Sequence, residues 1–341
     1  MFWKRTLLTT LVAISIWSPT TFAHAAEAAS SVEVLPDLGG GADAYAINDR
    51  GDIVGHVENL TRGITSAALW RDSQLIELGT LGGKYAVAYA INNKSEVVGL
   101  SYPTTNNTVH AFLWKNGAMI DLGCLPGGNY CEALDINNSG DIVGRSDDAN
   151  GIMHAVKWSR GRIIDLQPNT TENGIALSIN DSGVAGGFVE RPDGTLRATV
   201  WDGKRQRHFD EFASALVRGI NNHGSLLIEQ YTDDQDEARS VNFYLVRGDN
   251  VTNLTYQNNV YFVATALNNR DQVSGWLMEV TPEQVVERVV LWEKGQVYQV
   301  APVPQPFLSG KPRGLNDRGQ QVGFLYTGTG LKAAVWKTTT K

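Results

Sequence analysis

Apolar and polar residues alternate over short stretches of the chain, most clearly between Gly79 and Gly117, GTLGGKYAVAYAINNKSEVVGLSYPTTNNTVHAFLWKNG. AVAYAIN has the period of two expected of a strand, NNKS is turn chemistry, EVVGLS is a second apolar run and TVHAFLW a third. AMIDLGCL follows the WKNG turn as a fourth. The same skeleton returns about every forty-four residues along the chain. Four short strands in a unit of that length predict an all-β fold, a propeller whose blades are four-stranded antiparallel sheets.

The most regular column is an asparagine after an apolar residue: Asn48, Asn92, Asn137, Asn180, Asn221, Asn268 and Asn316, separated by 44, 45, 43, 41, 47 and 48 residues. The tetrapeptides NDRG, NNKS, NNSG, NDSG, NNHG, NNRD and NDRG begin there. An asparagine side chain bonds the backbone two residues on, and a glycine in fourth place takes the positive φ that closes a type I turn with a bulge. Each tetrapeptide therefore predicts the hairpin from a unit's first strand to its second. Seven residues past the asparagine stands Gly55, Gly99, Gly144, Gly187, Gly275 or Gly323, with Ile228 in the fifth unit. Such a glycine predicts a bulge or a close backbone approach. The third strand carries Trp70, Trp114, Trp158, Trp201, Trp292 and Trp336, with Leu245 in the fifth unit. A repeated tryptophan is expected to fill identical sheet interfaces rather than to offer stacking platforms.

Only six fourth strands follow in order, because the chain stops after the third-strand segment LKAAVWK. The missing one matches SVEVLPDLGG, Ser31 to Gly40. Pairing this segment beside Ala333 to Lys337 would make 28 strands in a seven-bladed propeller, closed by the N-terminal strand in the last blade. Residues 31–341 are then expected to form a single domain. Residues 1–25 read as a cleaved signal peptide: Lys4 and Arg5, an apolar run of 11 residues from Leu7 to Trp17, then Ala23-His24-Ala25. Expected localisation is periplasmic or secreted, with no transmembrane segment after cleavage.

The formal charge is −7, and loss of Lys4 and Arg5 leaves 27 basic against 36 acidic residues, or −9. That balance argues against a nucleic-acid partner. Cys124 and Cys131 in CLPGGNYC are the only cysteines and, outside the cytoplasm, are expected to form a disulfide. The loops entering each unit and those between second and third strands share one face, where a ligand is expected. Its candidate contacts are Lys84, Tyr85, Tyr102, His110, Asn129, Tyr130 and His154. His110 and His154, at equivalent third-strand positions, are read first as local strand-edge bonds and second as a metal or acid–base pair. Asp147, Asp148 and Asn150 lack the alternating spacing of a calcium loop, and Asp233, Asp234, Asp236 and Glu237 read as a solvated acidic loop. No nucleophile elbow, zinc-protease helix motif or phosphate loop occurs, and no catalytic residue, metal or cofactor is assigned.

GTLGG, AYAINNKSEVVG and HAFLWKNG together resemble the repeats of the bacterial extracellular HAF-repeat family, named for the His-Ala-Phe seen at His110-Ala111-Phe112. The match covers Leu35 to Trp158 well and the rest loosely, and Asn221 to Tyr256 departs most. The resemblance implies export from a bacterial cell and a β-rich repeat fold, and supplies no reaction. The expected function is a non-catalytic binding or scaffold propeller recognising a glycan, peptide or cell-envelope partner. The alternatives are a propeller polysaccharide hydrolase or lyase, and a structural subunit of an envelope assembly.

Overall fold

The computed structural model describes residues 30–104, 108–203, 205–232, 240–255, 260–280 and 285–338. The signal peptide and the acidic segment Asp233 to Glu237 lie outside them. The described residues are all β, with no helix, and their unit is a four-stranded antiparallel sheet. In the first unit the strands are Ala42–Ile47, Ile53–Asn59, Ile64–Arg71 and Gln74–Gly79, paired in that order. The last unit is built from Ser309–Leu315, Gln321–Tyr326 and Leu331–Thr338, and its outer strand is Ser30–Val34 from the other end of the chain. Val32 faces Trp336 and Glu33 faces Val335 in that antiparallel pair, as the matching ends predict.

The sheets differ from expectation in number. Among the described residues there are six hydrogen-bonded sheets, five of four strands and one of eight. The eight-stranded sheet arises because Gly82–Ile91 starts early and is ten residues long. Its N-terminal end reaches the third strand of the preceding unit, where Thr65 pairs with Tyr85 in parallel and fuses two four-stranded units.

The turn asparagines are buried to 3–6 % exposure, and each has two jobs. Within its turn the Oδ1 accepts the amides two and four residues on, as in Arg50 and Asp52 onto Asn48. The fourth turn residue takes positive φ in every unit, at Gly51, Ser95, Gly140, Gly183, Gly224, Asp271 and Gly319. Between units, Nδ2 donates to the main-chain oxygen of the next asparagine at 3.0–3.1 Å, from Asn48 through to Asn268. Asn316 then donates to the oxygen of Asn48 and returns the circuit to its start. The following residues form a second circuit, in which the amides of Asp49, Asn93, Asn138, Asp181, Asn222, Asn269 and Asp317 each donate to the next side-chain oxygen at 2.8–2.9 Å.

Apolar packing follows the same circle. There are seven hydrophobic clusters, each joining neighbouring units. Trp70, for example, packs with Val322, Ala333 and Val335 of the last unit and with Leu35. The tryptophans act as interface core, as expected: five of the six are buried and Trp114 is half-buried. Each first strand slips register near its end so that one residue bulges, at Tyr45, Tyr89, Leu134, Leu177, Arg218, Thr265 or Arg313, and the long strand of the second unit slips once more between Gly82 and Ala86. The glycine column sits opposite this slip. A Cβ on Gly99 would lie 1.9 Å from the carbonyl oxygen of Val87, which is why the position is glycine in six units. The fifth unit keeps the same slip with a buried Ile228, which nothing in the structure explains.

Asn180→Ala is expected to strand the amides of Ser182 and Val184 and to leave the main-chain oxygen of Asn221 with the Gly224 amide alone. Buried unpaired groups cost about 1–3 kcal/mol each, so the variant should lose about 3 kcal/mol in urea unfolding. A loss under about 1 kcal/mol would show that the side chain serves only its own turn.

Candidate functional site

The bulge decides what gathers partway along the first strands, three residues ahead of the turn asparagines. Bulged residues of neighbouring units meet there: the rings of Tyr45 and Tyr89 are 5.5 Å apart and edge-on, and the Arg313 guanidinium lies 4.8 Å from the Tyr45 ring. Above them Tyr85 and Tyr102 pack at 5.4 Å and are 39 % and 40 % exposed. The LGG motif brings these two together, since Gly83 has no Cβ to strike the Tyr102 carbonyl oxygen, which would lie 2.3 Å away. Tyr130, next to the Cys124–Cys131 disulfide, adds a third unit to the cluster. Of the expected contacts, the structure therefore joins Tyr85, Tyr102 and Tyr130, and adds Tyr45 and Tyr89. Lys84 and Asn129 are exposed beside them, with the Asn129 carbonyl accepting from the Val109 amide.

His110 and His154 do something local. Nδ1 of His110 lies 2.7 Å from Asp121 Oδ2, and Nδ1 of His154 lies 3.2 Å from Asp165 Oδ1. Each imidazole thus ties a third strand to the fourth strand of its own unit. Asp148 is likewise engaged in its turn, accepting the amides of Asn150 and Ile152.

Charges around the tyrosines come in pairs. Asp43, buried at 1 % exposure, takes Nε and Nη2 of Arg313 at 2.9 and 2.8 Å. Burial still pushes its carboxyl above the usual range, against the pull of Arg313. Glu132 holds Arg145 Nε at 2.9 Å and also takes the Tyr130 hydroxyl, while the guanidinium stacks on that ring at 5.1 Å. Glu229 binds Arg218 and accepts from the Tyr231 hydroxyl at 2.7 Å. The Tyr45 hydroxyl is pushed up to about 12 by burial and by the Asp43 charge. That of Tyr130 is pushed up to about 12 by burial and its bond to Glu132. Burial lowers His56, whose ring lies 5.9 Å from Tyr45, despite the nearby Asp43 charge. At neutral pH the cluster is therefore a set of protonated hydroxyls, a neutral imidazole and matched ion pairs.

A cavity of about 210 Å³ lies at the C-terminal ends of the first strands, walled by the isoleucines and leucines before the turn asparagines and by both amide circuits. Its turn asparagines are already committed to the inter-unit bonds, so it reads as the hub of the ring.

No protein-family model matches the chain, and no curated protein matches its sequence. Among solved structures it is similar to the β-propeller domain of the Trilobed protease from Pyrococcus furiosus, at 12 % identity and a TM-score of 0.57, over 88 % of this chain and 95 % of that one. It is also similar to YCF48 bound to D1 peptide, at 13 % identity and a TM-score of 0.54, over 94 % of this chain and all of that one. A puromycin-hydrolysing peptidase of Mycobacterium tuberculosis matches at 10 % identity and a TM-score of 0.51, and the chain spans 52 % of its length. Likeness at these identities establishes a β-propeller fold and no activity.

The disulfide closes a loop whose ends are 7 residues apart. Loop-closure entropy for so short a span is worth about 2.5 kcal/mol. A Cys124→Ala/Cys131→Ala variant should lose about that much, and reductant should lower Tm for the parent protein and leave the variant unchanged. Equal sensitivity of both to reductant would contradict the assignment.

Proposed function

We propose that the chain is an exported, closed seven-bladed propeller that acts as a non-catalytic binding module, presenting the tyrosine-bearing face to a glycan, peptide or cell-envelope partner. Seven blades, with two fused into one sheet, are supported by the seven inter-unit clusters and the sevenfold amide circuits. Export is supported by the charged start, apolar run and A-x-A site of residues 1–25 together with the disulfide. No described helix is long and apolar enough to cross a membrane. YCF48, of similar fold, is described bound to D1 peptide, which fits a propeller used for recognition.

One observation carries the binding reading: exposed Tyr85 and Tyr102 stand over half-buried Tyr45, Tyr89 and Tyr130, drawn from three consecutive units. Tyrosine supplies a large amphipathic contact at low entropic cost, which is what a recognition surface uses. The polysaccharide hydrolase or lyase remains the second reading, favoured by the neutral His56 beside Tyr45 and Arg313.

Residues 26–341, labelled and applied to glycan and peptide arrays, should bind a defined set of spots. Tyr85→Ala and Tyr130→Ala, with Tm checked, should each remove that signal, and the bound species should be recovered chemically unchanged. Signal that survives both substitutions refutes the assigned face, and release of shortened or unsaturated products moves the function to the enzyme.

A further inference from the structure

The ligand class follows from a mismatch between the face and the molecule. The chain carries a formal charge of −7, yet the carboxylates beside the tyrosine cluster are already bonded to arginine or to main-chain amides. Asp43 is matched by Arg313 and Glu132 by Arg145, and the Asp147 carboxylate is taken by the main-chain amides of Asn129 and Tyr130. At the rim Glu58, which accepts the Gly41 amide, and exposed Lys84 contribute one charge of each sign. The two carboxylates paired with arginine are nearly buried, at 1 % and 7 % side-chain exposure, so each guanidinium is held by a partner that water screens little.

An anionic ligand would meet guanidiniums whose charge a buried carboxylate already neutralises, and displacing that carboxylate would leave it uncompensated, at a cost of several kcal/mol. A cationic ligand meets the converse obstacle, since the acidic groups are already spent on arginine or on main-chain amides. What the face does present is neutral: ring faces on Tyr85 and Tyr102, and the hydroxyls of Tyr45 and Tyr130, held protonated by burial and by neighbouring carboxylates. Aromatic faces beside fixed hydroxyls complement a ligand with one C–H-rich side and many hydroxyls.

We propose that this face binds a neutral oligosaccharide, a chain of uncharged pyranose units, with Tyr85 and Tyr102 against the sugar ring faces. The proposal rests on the binding-module reading above and narrows its ligand. Matched ion pairs then act as a filter that rejects uronate, sulfated and strongly charged peptide ligands of otherwise suitable shape.

The test uses residues 26–341 in saturation-transfer NMR and calorimetry with cellohexaose, xylohexaose, maltohexaose and chitohexaose. Hexagalacturonate and acidic and basic hexapeptides serve as charged counterparts. At least one neutral hexasaccharide should bind, with an affinity that changes less than about twofold between low and high salt. Tyr85→Ala and Tyr102→Ala should each weaken it at least about tenfold at unchanged Tm. Asp43→Asn, which frees Arg313, should add salt-sensitive binding of hexagalacturonate that the parent protein lacks. Failure of all four neutral hexasaccharides overturns the proposal. Salt-sensitive binding of a charged probe by the parent protein through Tyr85 and Tyr102 also overturns it while leaving the binding face standing. Binding indifferent to both tyrosines overturns the face as well.

Discussion

The architecture depends on a carboxamide that faces two ways. At the end of each first strand the asparagine Oδ1 satisfies two amides of its own turn, and the Nδ2 reaches the carbonyl of the neighbouring turn. Aspartate has no hydrogen to donate across the gap, and serine has a single atom for both tasks. Only a short amide provides an acceptor and a donor on opposite sides of one planar group. Because both ends are buried, the bond is formed away from competing water, and losing it exposes partners to no solvent.

That circuit sets the geometry of everything outside it. With the turn ends pinned at 3.0–3.1 Å, neighbouring sheets have little freedom at the axis, and their separation further out is filled by tryptophan and small apolar residues. The narrow end also forces the first strand to bulge against a glycine of the second, and the bulge delivers Tyr45, Tyr89 and Arg313 to one another across unit boundaries. A hub stabilised from within leaves the opposite face free to vary. It is there that the units differ most in chemistry, with tyrosine at the bulge in the first two, leucine in the third and arginine in the fifth and seventh.

Period, turn positions and the matching of the two chain ends were legible in the sequence because each is written in local pattern: alternation, turn residues, and a fourth-strand motif ahead of the first unit. The inter-unit role of the asparagines was not, since their partners lie 41–48 residues away and a turn alone accounts for the residue type. One signal was present: the column persists through Asn221 in the unit that has lost both its glycine and its tryptophan. Tyr85, Tyr102 and Tyr130 were found from the loops that carry them, whereas Tyr45 and Tyr89 read as mid-strand positions because a bulge leaves no mark in a two-residue period. The fusion of two sheets depends on one bridge, Thr65 to Tyr85, and no pattern announces it.

The most direct measurement of the central claim is residue-resolved amide hydrogen exchange at the second circuit. If the ring is closed, the amide of Asp317, which donates to Asp49 across the chain ends, should exchange as slowly as those of Asn138 and Asp181, all through global opening. Exchange at Asp317 and Asp49 faster by orders of magnitude than at Asn138 would mean that the ring has an open seam, contradicting an architecture that depends on a continuous circuit of amides.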